Sequence, residues 1–323
     1  MRQRRILVNY DGGSTLYSRK GSQGPIRLTA EDLREAIREV SFQGSQVDTV
    51  LLCVYAQVAY YPTRVGTMLG SLATPEQKKK WPANTRQWVA NLNHFTKQRI
   101  DPWAVMIAEA KRQQREVLLS FRMNDGHDGT HLETRFWRTH KQFHCFDPDQ
   151  GHTLDYGHKE VRDHVFLLIQ EAVRRYDCDG IELDFLRHPL FFKPGAERTH
   201  AHLMTEFLGR VRKALDRAGQ GRGKQLGLAV RTLVPLAAAR RIGLDVDEWL
   251  RAGYIDQWIG GIVDRNRLEL REAVELGERH NCAVYASFKT DGILGRGHHS
   301  AEAFRAITAN HYRAGVQGIY VFN

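Results

Sequence analysis

The stretch DGIELDFLRHP, residues 179–189, sets Glu182 and Asp184 two positions apart in an apolar run, then follows them with Arg187 and His188. On a strand, side chains two apart share a face. Glu182 and Asp184 are therefore expected to point one way, and Ile181, Leu183 and Phe185 the other. Carboxylates gathered beside cations are the material of general acid–base chemistry, one group giving a proton while another takes one. The plainer alternative is a structural ion-pair network. Buried charge is costly unless paired, and Arg122, Arg187 and Arg231 are the cations available to pair it.

Such a strand needs a scaffold that aims it. Eight short apolar runs alternate with helical patterns along the 323 residues: Ile6 to Asp11, Val47 to Gln57, Glu116 to Asn124, Gly180 to Phe185, Gln225 to Leu233, Gln257 to Asp264, Ala283 to Phe288 and Gln317 to Phe322. Strand–helix alternation of this kind predicts parallel strands, and eight such units predict a (β/α)₈ barrel, an α/β TIM-type fold, as one catalytic domain over residues 1–323. The helices carry readable starts. Thr29 with Asp32 three residues on, Asp101 before Pro102, and Ser300 before Phe304 and Ile307 are expected N-termini. Val161 to Tyr176 presents Val165, Leu168, Ile169 and Val173 on one face. The chain stops on its last strand at Asn323, so a natural continuation beyond that residue is expected.

In a barrel strand alternate side chains face the interior, and those nearest the carboxyl ends line the mouth. Asn9 and Asp11 are expected there from strand one, Ser120, Arg122 and Asn124 from strand three, Glu182 and Asp184 from strand four, and Arg231 from strand five. Asp264 and Asn323 fall near the ends of strands six and eight, with Lys289 a weaker candidate after strand seven. Carboxylates facing one another across an opening of sugar size serve glycosidic bond cleavage. Asp11, Asp184 and Asp264 are the candidates, and two long connections, from Pro62 to about Ile100 after strand two and from Asp125 to His158 after strand three, belong to the same face.

The run DPWAVMIAEAKRQQREVLLSFRMND, followed by RYDCDGIELDFLRHP, resembles the glycoside-hydrolase-like family 10 barrels. Strand four is also similar to the family 18 chitinase pattern DGxDxDxE, but Leu186 stands where the catalytic glutamate of that pattern belongs. A narrower resemblance is to the family 156 inverting sialidases, carried by NYDGG with Asp11, FRMNDGH with Arg122 and His127, DFLRHP with Arg187, and VFN with Asn323. That resemblance implies a cofactor-independent exo-sialidase. Arg122 and Arg187 would clamp the sugar carboxylate, a task suited to a bidentate guanidinium. Asp11 would give a proton to the leaving oxygen and His127 would activate water, or the reverse. Catalysis is thus expected from Asp11, His127 and Asp184, and substrate contacts from Arg122, Asn124, Glu182, Arg187, Arg231, Asp264 and Asn323. The alternatives are a hydrolase of another glycan in the family 10-like group, with Asp184 as principal carboxylate, and a carbohydrate-binding barrel without catalysis.

Composition narrows the partners. Lys and Arg number 47 against 37 Asp and Glu, a formal charge of +10 that suits an anionic partner such as an acidic glycan or sialoside. The KKKW run at Lys78 to Trp81 and the arginines between Arg210 and Arg222 come without a nucleic-acid-binding motif, so no nucleic acid is expected. No apolar run approaches the roughly 20 residues of a membrane span, and MRQRR leads straight into the first strand without the roughly 7 to 15 apolar residues of a secretion signal. The protein is expected in the cytoplasm, or outside it with a leader removed. A homodimer is left open. Cys53, Cys145, Cys178 and Cys282 lack CxxC spacing and read as small buried thiols. His127, His131, His140 and His144 share one loop with HxxxH spacing, but its glycines and the missing glutamate of HExxH argue against a metal. Trp81, Trp88, Trp103 and Trp137 lie in or beside the long loops, where indole rings could meet sugar faces, although several must serve the core.

Overall fold

All eight expected strands form, and each pairs in parallel with its neighbours in chain order. The computed structural model describes residues 5–11, 16, 20–21, 24–25, 27–126, 131–261, 269–289 and 300–322. Strands β1 (Arg5–Tyr10), β2 (Val47–Ala56), β3 (Glu116–Arg122), β4 (Gly180–Asp184), β5 (Gly227–Leu233), β6 (Gln257–Gly261), β7 (Ala283–Lys289) and β8 (Gly318–Phe322) pair in that sequence, and β8 returns to β1. The seam aligns Leu7 with Tyr320 on one side and with Thr49 on the other, closing a (β/α)₈ barrel. The expected inward and outward faces hold. Ile181, Leu183 and Phe185 sit fully buried in the layer between strands and helices, while a separate cluster of Leu7, Leu51, Leu118, Ala229, Ile259, Tyr285, Tyr320 and Phe322 fills the barrel.

The barrel interior is layered along its axis. At the amino ends of the strands Arg5 ion-pairs with Glu116 and donates to the Thr49 hydroxyl at 2.6 Å. The apolar cluster follows above it. Nearer the carboxyl ends the interior turns polar again, where Asn9, Ser120, Glu182, Asp184 and Arg231 are all buried. An apolar girdle between two polar layers keeps water from running through and leaves one end to do chemistry.

Three helices begin at the caps expected for them, Thr29, Asp101 and Ser300. Thr29 and Asp32 form a reciprocal capping box at α1 (Ala30–Ser41), which buries Leu33, Ala36 and Ile37. Helix α2 (Ala83–Lys97) lies within the long connection after β2. At α3 (Pro102–Arg112) the Asp101 carboxylate accepts from the backbone of Trp103 and Ala104, with Pro102 in the first turn. Asp101 also receives Arg175 and Tyr176 at the far end of α4 (Lys159–Arg175), so one carboxylate starts one helix and anchors the next. Helices α5 (Glu197–Gln220), α6 (Val246–Arg251), α7 (Arg271–Arg279) and α8 (Ala301–Arg313) complete the outer ring, with Ser300 capping the last. The arginines of α5 make ties within the protein. Arg210 pairs with Asp163, and Arg212 holds Asp216, Asp256 and the Leu226 carbonyl.

Candidate active site

The carboxyl ends of β1, β3, β4, β5, β7 and β8 bring two ion-pair clusters together. In the first, Arg122 at the end of β3 donates to Asp11, just past β1, at 2.8 Å and stands 3.7 Å from Asp125, which in turn lies 3.8 Å from His188. The Arg122 side chain is 7% exposed and that of Asp11 20%, so the carboxylate is the part of this pair that solvent reaches. In the second cluster Arg231 of β5 spans both oxygens of Asp184 at 3.1 and 3.2 Å and donates through Nε to Ser287 of β7 at 3.2 Å. Its guanidinium lies over the Phe322 ring at 4.2 Å. Asp184 also accepts the Leu186 backbone N–H at 2.9 Å, so the residue standing in place of a family 18 glutamate helps to fix the carboxylate before it. Register explains the arrangement, since Arg122 and Arg231 both align with Asp184 from either side.

One layer below, Glu182 receives Asn9 at 3.4 Å, and Asn9 also reaches Ser120 at 3.4 Å. Burial, and after it the negative charge of Asp184, push the Glu182 carboxyl up to about 7, with Ser120 and Arg231 pulling the other way. The shift favours the protonated form, in which the interior carries one carboxylate charge beside Arg231 instead of two.

The other expected site residues divide. Arg187 is exposed in the loop after β4 and makes no ion pair among the described residues. The Asn124 amide is spent on the loops, donating to the Leu154 and Leu190 carbonyls at 3.0 and 2.6 Å and accepting from the Leu154 N–H at 3.3 Å. Both of its N–H donors are occupied, so its place is to shape the mouth rather than to meet a ligand. His127, Asp264 and Asn323 lie outside the described residues, as do His298, His299 and the Lys289 side chain.

Gln57 was absent from the expectations. It follows β2 directly with φ of 64° and is 6% exposed, and neither its amide oxygen nor its nitrogen has a partner among the described residues. A non-glycine residue in the left-handed region and an unsatisfied buried amide each cost free energy, and strain of this kind collects at functional sites. In the sequence it is one glutamine in the apolar run YAQVAYY, with no motif to mark it.

The loop histidines and tryptophans prove to be mostly packing. His131 lies edge-on to Trp81 and Trp88, His140 stacks on Phe136, and His144 stacks on Trp137 at 3.7 Å. No group of three metal-ligating side chains occurs among the described residues. Trp88, Trp103 and Trp137 are buried, and the indole N–H of Trp103 is spent on the Cys53 carbonyl at 3.0 Å. Those three rings are therefore removed from a sugar-stacking role, which leaves Trp81, partly exposed. All four cysteines are free and buried, and burial pushes the Cys53 thiol, near Arg122, up to about 12.

No family model matches this chain, and no curated protein matches it. Among solved structures its barrel is similar to an alpha-L-fucosidase isoenzyme 2 from Paenibacillus thiaminolyticus (TM-score 0.60, 15% identity), covering 99% of this chain and 46% of that one. It is similar to the glycoside hydrolase domain of PgaB (BpsB) from Bordetella bronchiseptica (TM-score 0.57, 11% identity), covering 100% of this chain and 94% of that one. A family 18 N-acetylglucosaminidase from Paenibacillus barengoltzii follows at a TM-score of 0.50 and 11% identity, covering 98% and 94%. The chain spans less than half the length of the fucosidase. At these identities the likeness is one of fold, a barrel of the kind glycoside hydrolases use, without a specific family.

Proposed function

We propose that this protein is a glycoside hydrolase that works at the carboxyl ends of its strands on a carboxylated sugar, with a sialoside as the first substrate to try. The observation that carries the reading is the pair of strand-end carboxylates, Asp11 and Asp184, each held by its own buried arginine around one barrel opening. A carboxylate fixed at the strand ends supplies one member of the acid–base pair that glycosidic cleavage needs, and a second fixed beside it sets the charge of the mouth. The names of the similar structures, a fucosidase, a glycoside hydrolase domain and an N-acetylglucosaminidase, support the reaction class and include no acidic sugar.

Roles follow from exposure and charge. Arg187, exposed and without an ion pair among the described residues, is suited to take the sugar carboxylate, with Arg122 as the candidate for the second guanidinium. Asp11, the more exposed of the two carboxylates, stands as one member of the acid–base pair. His127, which follows Arg122 closely in the sequence, is the other member, and which of them gives the proton is left to the experiment. Gln57, with both polar atoms unspent among the described residues, adds an amide that can donate to and accept from a sugar hydroxyl. Asp184 is 1% exposed and clamped by Arg231, so in this reading it sets the field of the mouth. A second reading makes Asp184 the reacting carboxylate on a neutral glycan, favoured by the raised proton affinity of Glu182 one layer below it.

The test is release of methylumbelliferone from its sialoside, its glucuronide and its neutral glycosides, for the parent protein and for Asp11→Asn, His127→Ala and Asp184→Asn. Sialoside turnover is expected, with a loss of about 10²-fold or more in Asp11→Asn and in His127→Ala. Turnover of neutral glycosides alone, lost in Asp184→Asn, would replace this reading with the second. Binding of sugars without cleavage of any would make the protein a carbohydrate-binding barrel.

A further inference from the structure

Residues 62–72 and the short helix Arg135–Thr139, in the connections after β2 and β3, enclose with His164 of α4 a cleft of about 570 Å³, and none of its lining residues belongs to the two ion-pair clusters of the strand ends. That volume falls within the range of small-ligand sites. Its walls are tied rather than merely adjacent. Glu171 of α4 accepts from the Thr63 hydroxyl and, at 2.7 Å, from the Arg64 backbone N–H, and the Arg135 N–H donates to the Thr67 hydroxyl at 3.0 Å. A framework fixed at those points holds the space open.

The lining has one sign of charge. Arg64 and Arg135 border the cleft, both are exposed, and neither side chain has an ion-pair partner among the described residues. No aspartate or glutamate is among the described residues that line it. The Phe136 ring carries His164 at 4.2 Å and 5° and His140 at 4.4 Å, which fixes both imidazoles at the wall. His140 spends Nδ1 on the Phe136 carbonyl at 3.0 Å and the Thr139 hydroxyl at 2.8 Å. Its Nε2 and both ring nitrogens of His164 make no hydrogen bond among the described residues. Burial, and then His140, press His164 down to about 4, so at neutral pH it is an uncharged ring with one donor and one acceptor.

We propose that this cleft is a second, non-catalytic site that holds an acidic sugar unit of the glycan, its two guanidiniums taking the carboxylate and its imidazoles the hydroxyls. Anion binding follows from the lining itself, while the choice of a sugar acid rests on the proposed function. Holding a remote unit of a chain raises the effective concentration of the rest at the barrel mouth.

Titration calorimetry on the full chain tests it, with N-acetylneuraminate, glucose and inorganic phosphate as probes. Arg64→Ala/Arg135→Ala is expected to bind one equivalent of N-acetylneuraminate fewer than the parent, with turnover of a small umbelliferyl substrate unchanged. Arg64→Lys/Arg135→Lys should keep the equivalent about tenfold more weakly, because lysine carries the charge without the fork. Unchanged stoichiometry in the alanine pair overturns the site. Glucose or phosphate bound there as tightly as N-acetylneuraminate overturns the sugar-acid assignment. If no glycoside is cleaved and the equivalent is still lost, the proposed function fails and the cleft stands; if a sialoside is cleaved and the stoichiometry is unchanged, the function stands and the cleft fails.

Discussion

Glu182 shows how one buried side chain can tie stability to pH. Its carboxyl is raised from the ordinary 4.5 to about 7 by burial and by Asp184, so between those values the folded protein holds a proton that the unfolded chain has released. Its contribution is therefore complete below about pH 4.5 and is lost as pH rises to about 7. Over that window the loss is on the order of 3 kcal/mol. Urea unfolding at pH 5 and at pH 8 is expected to show the parent losing that much more stability than Glu182→Gln. Equal losses in the two proteins would refute a proton held on Glu182. The sequence placed this residue on the inner face from its spacing alone. It could not show which cations would answer it, and the structure gives Arg231 to Asp184 and leaves Glu182 to uncharged partners, Asn9 among them.

At the scale of elements, Asp101 joins two helices that are separate in sequence. It caps α3, accepts Arg175 at 2.8 Å, and accepts the Tyr176 hydroxyl at 3.1 Å. The lost cap and the orphaned tyrosine hydroxyl together predict roughly 2 kcal/mol of destabilisation for Asp101→Ala, and less for Asp101→Asn, which keeps an oxygen for the cap. Denaturant midpoints would decide, and equal costs for the two variants would show that the cap contributes nothing. The cap was legible because DP before a helical pattern is a local signal. The tie to Arg175 and Tyr176 was not, since it depends on how α3 and α4 pack around the barrel.

For the molecule as a whole, closure depends on two glycines at strand starts. A Cβ on Gly318 would fall on the Arg5 carbonyl oxygen, and one on Gly180 on the Gly227 backbone, closer than non-bonded atoms can approach. Both lie where a strand must approach its neighbour, so the obstacle is backbone that cannot move without opening the barrel. Gly318→Ala is expected to cost at least about 2 kcal/mol. Gly221→Ala, at the end of α5 with negative φ and ordinary contact distances, should stay within about 0.5 kcal/mol. Thermal unfolding of both variants measures the difference, and a neutral Gly318→Ala would mean the seam is looser than its register implies.

The amino-acid sequence alone was enough for the eight strands, the inward face of β4, the capped starts of α1, α3 and α8, and the gathering of Arg122, Glu182, Asp184 and Arg231 at one end. Those features rest on periodicity and on signals a few residues long. The tertiary structure decided which arginine holds which carboxylate, that Asn124 binds loops, that Trp88, Trp103 and Trp137 belong to the core, and that Gln57 sits strained just past β2 with its amide unpaired among the described residues. Each of these depends on contacts between distant parts of the chain: Asp11 and Arg122 are 111 positions apart and meet only because the barrel closes. A repeat of two residues tells each strand which side faces in; only closure determines what it faces.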